Sequence, residues 1–462
     1  MDAERLMNGV LRGHARGREV AEVLAAALVA VEPGAAVRRA LRREGRAVFV
    51  NERRFDLGAG GRVLVVGAGK ACAPMTEAAV EVLGDAVGGG VVIVKEEHLG
   101  DDDSVGPVEV FEASHPVPDA RGVGAAERLA ALLDEAREDD LVLALVSGGG
   151  SALLTLPAAG LTLEDIGATT ESLLGCGATI NDINAIRKHT TRLGGGGAAR
   201  LAAPARTASL IISDVVGSPL DVIASGPTAP DPTTFADAWR VVERHGLQER
   251  LPPRVCERLR RGLAGEIEET PKPGDELWSR VHNNIVASNV TAAEAAVVAA
   301  RERGFEATLL TTSLEGEAGE AGRFAASVAR ELRGRAAGMR PLLTVLGGET
   351  TVTLRGEGAG GRNQELALAA AEALEGVEGV LLVTLATDGG DGPTDAAGAA
   401  VTGETLARGR ALGYDADDFL RRNDAYNFFA PLDALLRPGP TLTNVNDLLV
   451  IVADAAAPTS RA

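Results

Sequence analysis

Three aspartates share one glycine-rich loop in the second half of the chain. The loop TDGGDGPTDAAGA covers residues 387–399 and carries Asp388, Asp391 and Asp395. It follows the apolar run VLLVTLA, which predicts a buried strand. Carboxylates this close repel one another, and Mg²⁺ or another divalent cation, which prefers oxygen ligands, would offset their charge. A solvated Asp-Gly turn is the alternative, but two Asp-Gly pairs and a third acid favour a ligand site.

The GAGKA turn at residues 67–71 follows an apolar run and precedes a helical pattern. Gly67 and Gly69 supply the first two glycines of a GxGxxG dinucleotide-binding turn, but Cys72 stands at the third position. The next strand also offers no clean acidic residue for a ribose hydroxyl. Lys70 lies at the mouth of the turn, where an ammonium would meet an anionic group. An exposed lysine at a helix start is the alternative, and the helix dipole disfavours it.

A second glycine loop follows the apolar run LVLALV at residues 141–146. Its backbone N–H groups and hydroxyls have the chemistry to cradle a phosphate. A tight packing turn would also explain the glycines, but it would not explain the flanking serines. The residues of this predicted anion site are Ser147, Gly148, Gly149, Gly150 and Ser151.

Charged residues recur beside the other predicted elements. The strand at the start of TASLIISDVVG ends at Asp214, and Arg362 stands at the positive end of the predicted helix that GGRNQE opens. A basic helix in this acidic chain indicates an anionic ligand, and a salt-bridged surface face is an equally weighted alternative. The basic residues of that helix are Arg187, Lys188, His189 and Arg192.

The elements that must position these residues form an α/β protein. At 462 residues the chain exceeds the size of one core, so we expect two domains. Repeated strand, glycine-loop and helix units predict a doubly wound, Rossmann-like parallel sheet in residues 1–270. A second α/β domain with a mixed sheet is predicted for residues 271–462, after a proline- and charge-rich linker. Within it, TVTLRG at residues 351–356 alternates like a half-buried strand.

Composition limits the partners and the compartment. The formal charge of −19 and pI near 4.9 argue against nucleic acid or an anionic membrane surface. Arginine carries nearly all the positive charge because only four lysines occur, which is typical of salt adaptation or of a GC-rich genome. Three widely spaced cysteines and the lack of a ~20-residue apolar run predict a soluble protein of the reducing cytoplasm.

Nine short motifs in one order resemble the glycerate 2-kinase family, whose C-terminal half is the MOFRL domain and some of whose members are labelled hydroxypyruvate reductase. The motifs are GAGKA, SHPVPD, SGGGSALL, RKH, SDVVG, IASGPT, GGRNQE, TDGGDGPTDAAGA and TNVNDL. The resemblance implies two α/β domains with the active site in the cleft between them, and ATP-dependent phosphorylation of D-glycerate to 2-phosphoglycerate. The family's functional residues fall on Lys70, Asp214 and Arg362. Ser218 stands where the family usually has an aspartate, which alters the metal ligand set near Asp214.

This resemblance and the residue chemistry together predict a phosphoryl-transfer site. Lys70, Lys188, the SGGGS loop and Mg²⁺ would hold the triphosphate of ATP. Asp214 and Asp388 would ligate the metal or accept the substrate proton, with Asp391 as a further metal ligand. Arg362 would bind the glycerate carboxylate or bridge to the γ-phosphate, and it would act with Lys70 on one substrate complex.

Three alternatives remain open from the sequence. An NAD(P)H-dependent hydroxypyruvate reductase would use the Gly67 turn for pyrophosphate, against the missing third glycine. A kinase for another small hydroxy acid would use the same residues. A non-catalytic sugar-phosphate sensor would use the SGGGS loop but would not need three aspartates. The expected partners are glycerate and ATP, with no nucleic acid or membrane and with a possible homodimer.

Overall fold

Two compact units make up the chain. The computed structural model describes residues 1–96, 103–336 and 340–454. One unit is Pro33–Val286, and the other combines Met1–Glu32 with Ala287–Ala462. This division differs from the single boundary predicted between residues 270 and 271. The predicted linker, moreover, contains a helix, Pro253–Leu263.

The N-terminal segment consists mainly of two helices, α1 Gly9–Gly13 and α2 Gly17–Ala30. As the sequence pattern predicts, Val20, Leu24 and Leu28 form the buried face of α2. Asn8 caps α1, since its side-chain oxygen accepts a hydrogen bond from the Leu11 backbone N–H at 2.8 Å. The segment therefore has its own apolar face to bury.

The unit Pro33–Val286 contains ten strands and nine helices in the described part of the chain. The strands are β1 Leu41–Glu44, β2 Ala47–Val50, β3 Arg53–Asp56, β4 Val63–Ala68, β5 Val87–Lys95, β6 Ser104–Val105, β7 Val108–Ala113, β8 Leu141–Val146, β9 Arg206–Ile212 and β10 Val281–Ala287. The helices are α3 Pro33–Ala40, α4 Cys72–Leu83, α5 Ala120–Asp134, α6 Gly150–Leu153, α7 Leu163–Gly175, α8 Ile180–Thr190, α9 Gly197–Ala202, α10 Phe235–Arg244 and α11 Pro253–Leu263.

A seven-stranded sheet forms the centre of this unit, in the order β10-β9-β8-β4-β5-β7-β6. Strands β9, β8, β4, β5 and β7 are parallel, and β6 is antiparallel to β7. Every residue of β4 and β8 is buried, as expected where helices cover both faces of a parallel sheet. The predicted doubly wound parallel sheet is thus confirmed. The chain proceeds from β4 to β5 on one side and returns to β8 on the other, so the strand order reverses at β4 and β8.

A small antiparallel sheet, β1-β2-β3, precedes the large one and was not predicted. Helix α3 ends at Ala40 and β1 begins at Leu41, so Arg42 and Arg43 belong to a strand. Strands β1 and β3 are rich in arginine and expose most of their side chains. Their pairing with the apolar β2 determines the structure here, and local composition does not reveal it.

The remaining strands and helices belong to the second unit. The strands are β11 Glu306–Leu314, β12 Leu342–Gly348, β13 Val380–Ala386, β14 Gly398–Thr402, β15 Leu435–Leu436 and β16 Asp447–Ala453. The helices are α12 Asn289–Glu302, α13 Ala318–Arg335, α14 Arg362–Ala373, α15 Thr405–Ala411, α16 Ala416–Arg421 and α17 Ala425–Phe429. The sheet order is β11-β12-β16-β13-β14-β15, with β11 and β12 parallel and the other pairs antiparallel. The predicted mixed sheet is confirmed.

The predicted strand at residues 351–356 is wrong. Thr351 forms only an isolated parallel bridge with Glu317, and the rest of the segment bonds to side chains. The Arg355 and Gly356 N–H groups both donate to Asn423 Oδ1, at 2.7 and 3.0 Å. Asn423 Nδ2 in turn donates to the Thr353 carbonyl at 3.3 Å. Asn423, together with the Glu317 side chain that accepts from the Thr353 N–H at 3.0 Å, therefore satisfies residues 353–356 in place of a strand ladder.

The N-terminal segment joins the second unit through helix packing and buried hydrogen bonds. Helix α2 packs against α12. Asn8 Nδ2 donates to the Ala434 carbonyl at 2.8 Å, and Thr443 Oγ1 donates to the Val31 carbonyl at 2.8 Å. These long-range contacts explain why the boundary differs from the predicted one.

Within the described residues, no single helix is long and apolar enough to cross a membrane. Helices α2 and α3 meet that test only when taken together across the sharply bent break between them.

Candidate active site

Three neighbouring parallel strands deliver the predicted N-terminal site residues to one edge of the sheet. Ala68 of β4 pairs with Val146 of β8, which pairs with Ile211 of β9, so the three strands end level. Lys70, the SGGGS loop and Asp214 each follow one of these strands. Ligands of open α/β sheets bind beyond the carboxyl ends of the strands where the strand order reverses. The β4 and β8 loops lie at that point.

The two glycine loops are bonded directly to each other. The Lys70 N–H donates to the Gly148 carbonyl at 2.9 Å, and the Ala71 N–H donates to Ser147 Oγ at 3.0 Å. Gly69 has a φ of +148°, and a Cβ there would stand 2.1 Å from Ser147 Oγ. Gly67 would likewise place a Cβ 2.6 Å from the Leu145 carbonyl oxygen. Gly67 allows close approach of strands β4 and β8, and Gly69 allows close approach of the two loops. The buried Ser147 fixes the turn that carries Lys70.

Asp214 lies against the backbone of the SGGGS loop. A Cβ on Gly148 would stand 2.0 Å from Asp214 Oδ2, so only glycine leaves room for the carboxylate. Burial raises the pKa of Asp214, and the charge of Lys70 partly opposes that shift. A carboxylate beside a lysine at a strand-order reversal is a suitable proton acceptor.

His115 joins this group, although a lone histidine in a loop is more often structural than catalytic. An ideal Cβ on Gly149 would stand 3.1 Å from His115 Cδ2 and 3.3 Å from Lys70 Cγ. The two side chains therefore both lie against the glycine loop. The position of His115 in the SHPVPD motif was the sequence signal that could have identified it.

Ser151 and Gly150 connect the glycine loop to residues 223–226. Ser151 Oγ lies 2.8 Å from Ser225 Oγ, and a Cβ on Gly150 would stand 2.7 Å from the Ala224 Cβ. Ala224 and Ser225 adopt positive φ values of 50° and 60°, which non-glycine residues rarely do. Such backbone strain often accompanies ligand sites.

Lys188 has a different environment from the one predicted. Its side chain is 1% exposed, and Nζ lies 3.0 Å from Asp221 Oδ2 and 3.3 Å from Asp231 Oδ1. Asp231 is itself held by Thr233 and Thr270. Breaking one partner of such a buried pair leaves an uncompensated charge. The geometry gives Lys188 a structural role and leaves no open ammonium for a phosphate.

A second charged cluster surrounds Arg362 in the other unit. Asp447 accepts from Arg362 Nε at 2.5 Å and from Nη2 at 3.1 Å, and Glu349 Oε1 lies 3.1 Å from Nη1. Burial would lower the pKa of Arg362, but the Asp447 bonds and the charges of both acids raise it overall. The predicted bidentate partner of this fork was a substrate carboxylate, whereas the structure provides Asp447.

Sequence reasoning did not single out Asp447. It begins β16, opposite Gly348 of β12 and Ala386 of β13, and is buried. Burial raises its pKa, Arg362 opposes the shift, and Asp388 adds to it. An acid directly before the apolar run of TNVNDLLVIVA was the signal that could have identified it.

The three loop aspartates have separate environments. Both Asp391 carboxylate oxygens bond to the start of α14, accepting from the Asn363 and Gln364 N–H groups at 3.1 and 2.9 Å. Asp395 accepts from Tyr426 Oη at 2.7 Å and pairs with Arg437. Asp388 is exposed and accepts from the Gly390 N–H at 3.1 Å.

Asp391 accordingly stabilises a helix N-terminus. Burial raises its pKa to about 6, against the lowering effect of those two backbone hydrogen bonds. No group of three or more His, Cys, Asp or Glu side chains in the described residues is arranged to hold a metal ion. The structure thus does not gather the three loop aspartates into a metal centre.

Known proteins match both parts of the chain. A model described as a domain of unknown function (DUF4147) matches residues 19–260, and the MOFRL family matches residues 342–447. D-glycerate 2-kinase from Thermotoga maritima is 42% identical over 393 residues, covering 84% of this chain and 90% of its own. An Agrobacterium vitis protein provisionally named hydroxypyruvate reductase is 43% identical over 85% of this chain and 87% of its own.

A solved structure is similar throughout. The crystal structure of glycerate kinase from Thermotoga maritima has a TM-score of 0.82 and 41% identity, covering 94% of this chain and 98% of that chain. Both sequence and fold therefore agree on the same set of relatives.

Proposed function

The chain belongs to the glycerate kinase family, and on that premise we propose that it transfers the γ-phosphoryl group of ATP to the 2-hydroxyl of D-glycerate. The observation that carries this proposal is the grouping of Lys70, the SGGGS loop and Asp214 at the strand-order reversal. Phosphoryl transfer depends mainly on positioning and on positive charge around the moving group. This edge of the sheet offers both.

Each group at this edge has a distinct part in the proposed reaction. Lys70 and the backbone of Gly148 and Gly149 would bind the triphosphate. Asp214 would accept the proton of the substrate hydroxyl, a role that its raised pKa suits because a proton acceptor works best with a pKa nearer to neutral. His115 lies close enough to Lys70 to contact the same ligand.

Divalent cation binding is part of the proposal. Kinases commonly hold Mg²⁺ with one or two carboxylates together with phosphate oxygens and water, so a protein-only cage is not required. Asp214 or Asp388 would supply such a carboxylate, and when bound the ion would neutralise phosphate charge. We do not propose Asp391 as a ligand, because both of its oxygens already accept backbone hydrogen bonds.

Arg362 has a narrower proposed role than a bidentate carboxylate clamp. Asp447 and Glu349 engage Nε, Nη2 and Nη1, which leaves a second N–H on each terminal nitrogen. We propose that these remaining donors bind an anionic group of a ligand at this cluster. Asp447 would act as a positioning residue that holds the guanidinium plane.

The test compares two reactions with one protein preparation. ADP release is measured with ATP, Mg²⁺ and D-glycerate, and the product is assigned to the 2-position by phosphorus NMR. Oxidation of NADH and NADPH is followed in parallel with hydroxypyruvate. We expect ADP release and 2-phosphoglycerate. Nicotinamide oxidation without ADP release would contradict the kinase and support a reductase.

A further inference from the structure

Arg187 on α8 is a half-buried cation that has no carboxylate partner among the described residues. Within residues 1–96, 103–336 and 340–454, its one side-chain hydrogen bond is a long one, from Nη1 to Asn184 Oδ1 at 3.4 Å, and it forms no ion pair. Burial lowers its pKa, as expected for a guanidinium without an anionic partner. The next residue, Lys188, has two carboxylate partners.

The remaining N–H groups of Arg187 reach solvent. In the described chain, the buried side-chain polar atoms that lack a partner are Asn289 Oδ1 and Gln364 Oε1. No Arg187 nitrogen is among them, so its remaining donors are not completely buried and keep some contact with solvent. A ligand that enters this position would meet a preformed fork with most of its donors available.

A chain of side chains links Arg187 to the glycine loop. Asn184 Oδ1 accepts from Arg187 and also from Ser225 Oγ at 3.1 Å, and Ser225 Oγ lies 2.8 Å from Ser151 Oγ. Since Ser225 gives its only proton to Asn184, Ser151 must donate to Ser225. Ser151 therefore has no proton left to donate to a phosphate. Its role is to connect the glycine loop to Ser225. These hydrogen bonds therefore fix the position of Arg187 relative to the loop proposed to bind the triphosphate.

We propose that Arg187 binds the carboxylate of the D-glycerate substrate and so selects an acid over a neutral polyol. The inference rests on the proposed function, in which two anions must be held. Lys70 and the glycine loop serve the triphosphate, Lys188 is neutralised by two carboxylates, and the Arg362 fork is engaged by Asp447. A planar fork matches a carboxylate bidentately, and partial burial strengthens the pairing.

The test uses steady-state kinetics and calorimetry on Arg187→Gln, Arg187→Lys and a matched control. The control is Arg258→Gln, which removes another half-buried arginine that also contacts α8, through its bond to the His189 carbonyl at 2.7 Å. We measure KM for D-glycerate and for ATP separately. We also titrate D-glycerate into each protein, with and without a non-hydrolysable ATP analogue.

We expect Arg187→Gln to weaken D-glycerate affinity and raise its KM by about 10- to 100-fold, the usual effect of losing a charge-assisted bidentate bond. The KM for ATP should stay within about twofold. The KM of Arg187→Lys for D-glycerate should lie between those of the wild type and Arg187→Gln, since a point charge replaces the fork only partly. The control should lower thermal stability without changing either constant. Arg187→Lys also keeps the test decisive if the glutamine variant folds poorly.

Three outcomes would overturn the inference. A raised KM for ATP with unchanged glycerate affinity would assign Arg187 to a phosphate. Equal losses of D-glycerate affinity in Arg187→Gln and in Arg258→Gln would show that Arg187 has a structural role. Unchanged glycerate affinity with full turnover would remove it from the site and leave the kinase intact. If the wild type released no ADP, the proposed function would fail, and calorimetry alone would decide whether Arg187 binds the carboxylate.

Discussion

Two aspartates of the 387–399 loop provide a matched test of catalytic function. Asp388 is exposed near the charged cluster of Arg362 and Asp447. Asp395, in contrast, is bonded to Tyr426 and Arg437. We expect Asp388→Asn to lower kcat by ~10²-fold or more, because it removes a charge proposed to hold a metal or accept a proton. Asp395→Asn should leave kcat within a few-fold. Equal effects of the two substitutions, with intact circular dichroism, would remove Asp388 from the mechanism.

Asp391 should give the protein a pH-dependent stability. Its pKa of about 6 lies above its usual value of 3.8, so between these pH values the folded chain holds a proton that the unfolded chain has lost. Its contribution is complete below the unfolded pKa and is lost as pH rises through the folded one. We expect the free energy of unfolding to fall by up to about 3 kcal/mol relative to Asp391→Asn as pH rises from ~4 to ~6. Urea titrations of both proteins across this range measure the difference, and parallel pH curves would contradict the assignment.

The sequence predicted which residues follow strands better than it predicted what those residues contact. Lys70 and Asp214 are adjacent because parallel strands end at one edge, a rule that needs only strand positions. The partners of Asp391 and Lys188 depend on long-range packing of α14 and of the 221–231 segment. A local motif does not contain that information. Both residues have the types expected of a ligand site, yet both act within the protein.

At the level of elements, the close approach of the β8 and β9 loops requires a glycine at position 148. We expect Gly148→Ala to displace the Asp214 carboxylate, because its Cβ would stand 2.0 Å from Oδ2. A shift of about 1 Å at a reacting group can cost ~10²-fold in kcat. Gly167→Ala in α7 is the control, since nothing lies within 4 Å of its Cβ and alanine favours a helix by roughly 0.5–1 kcal/mol. Wild-type turnover in Gly148→Ala would show that the Asp214 position is not critical.

The contrast between what the local sequence predicts and what long-range contacts decide also holds for strands. Buried strands such as β8 and β13 were predictable because an apolar run that ends in a glycine loop has few other solutions. Residues 351–356 have strand-like alternation but bond to Asn423, about 70 residues later in the chain. Strands β1 and β3 are nearly as polar as loops. Where tertiary partners replace the local pattern, single-sequence reasoning fails.

For the whole molecule, net charge sets the expected response to salt. A formal charge of −19 opposes compaction until ions screen it. We expect the thermal midpoint at pH 7 to rise by several degrees between low and molar potassium chloride. The rise should shrink at pH 5, near the pI of about 4.9, where the net charge is small. A midpoint at pH 7 that stays constant or falls would indicate that the lysine-poor composition reflects a GC-rich genome.

The division of the chain into units determines the order in which they fold during synthesis. Unit Pro33–Val286 is continuous, so it has all its strands once residue 286 has left the ribosome. The helices α1 and α2 are translated before the unit Pro33–Val286, yet their partners, α12 and the segment around Ala434 and Thr443, come hundreds of residues later. Moreover, β16 lies between β12 and β13 in the second sheet, so that sheet remains open until its last strand has been synthesised. For most of translation the apolar face of α2 lacks its partner α12. A nascent-chain chaperone that recognises exposed alanine, leucine and valine surfaces would therefore engage the first thirty residues longest.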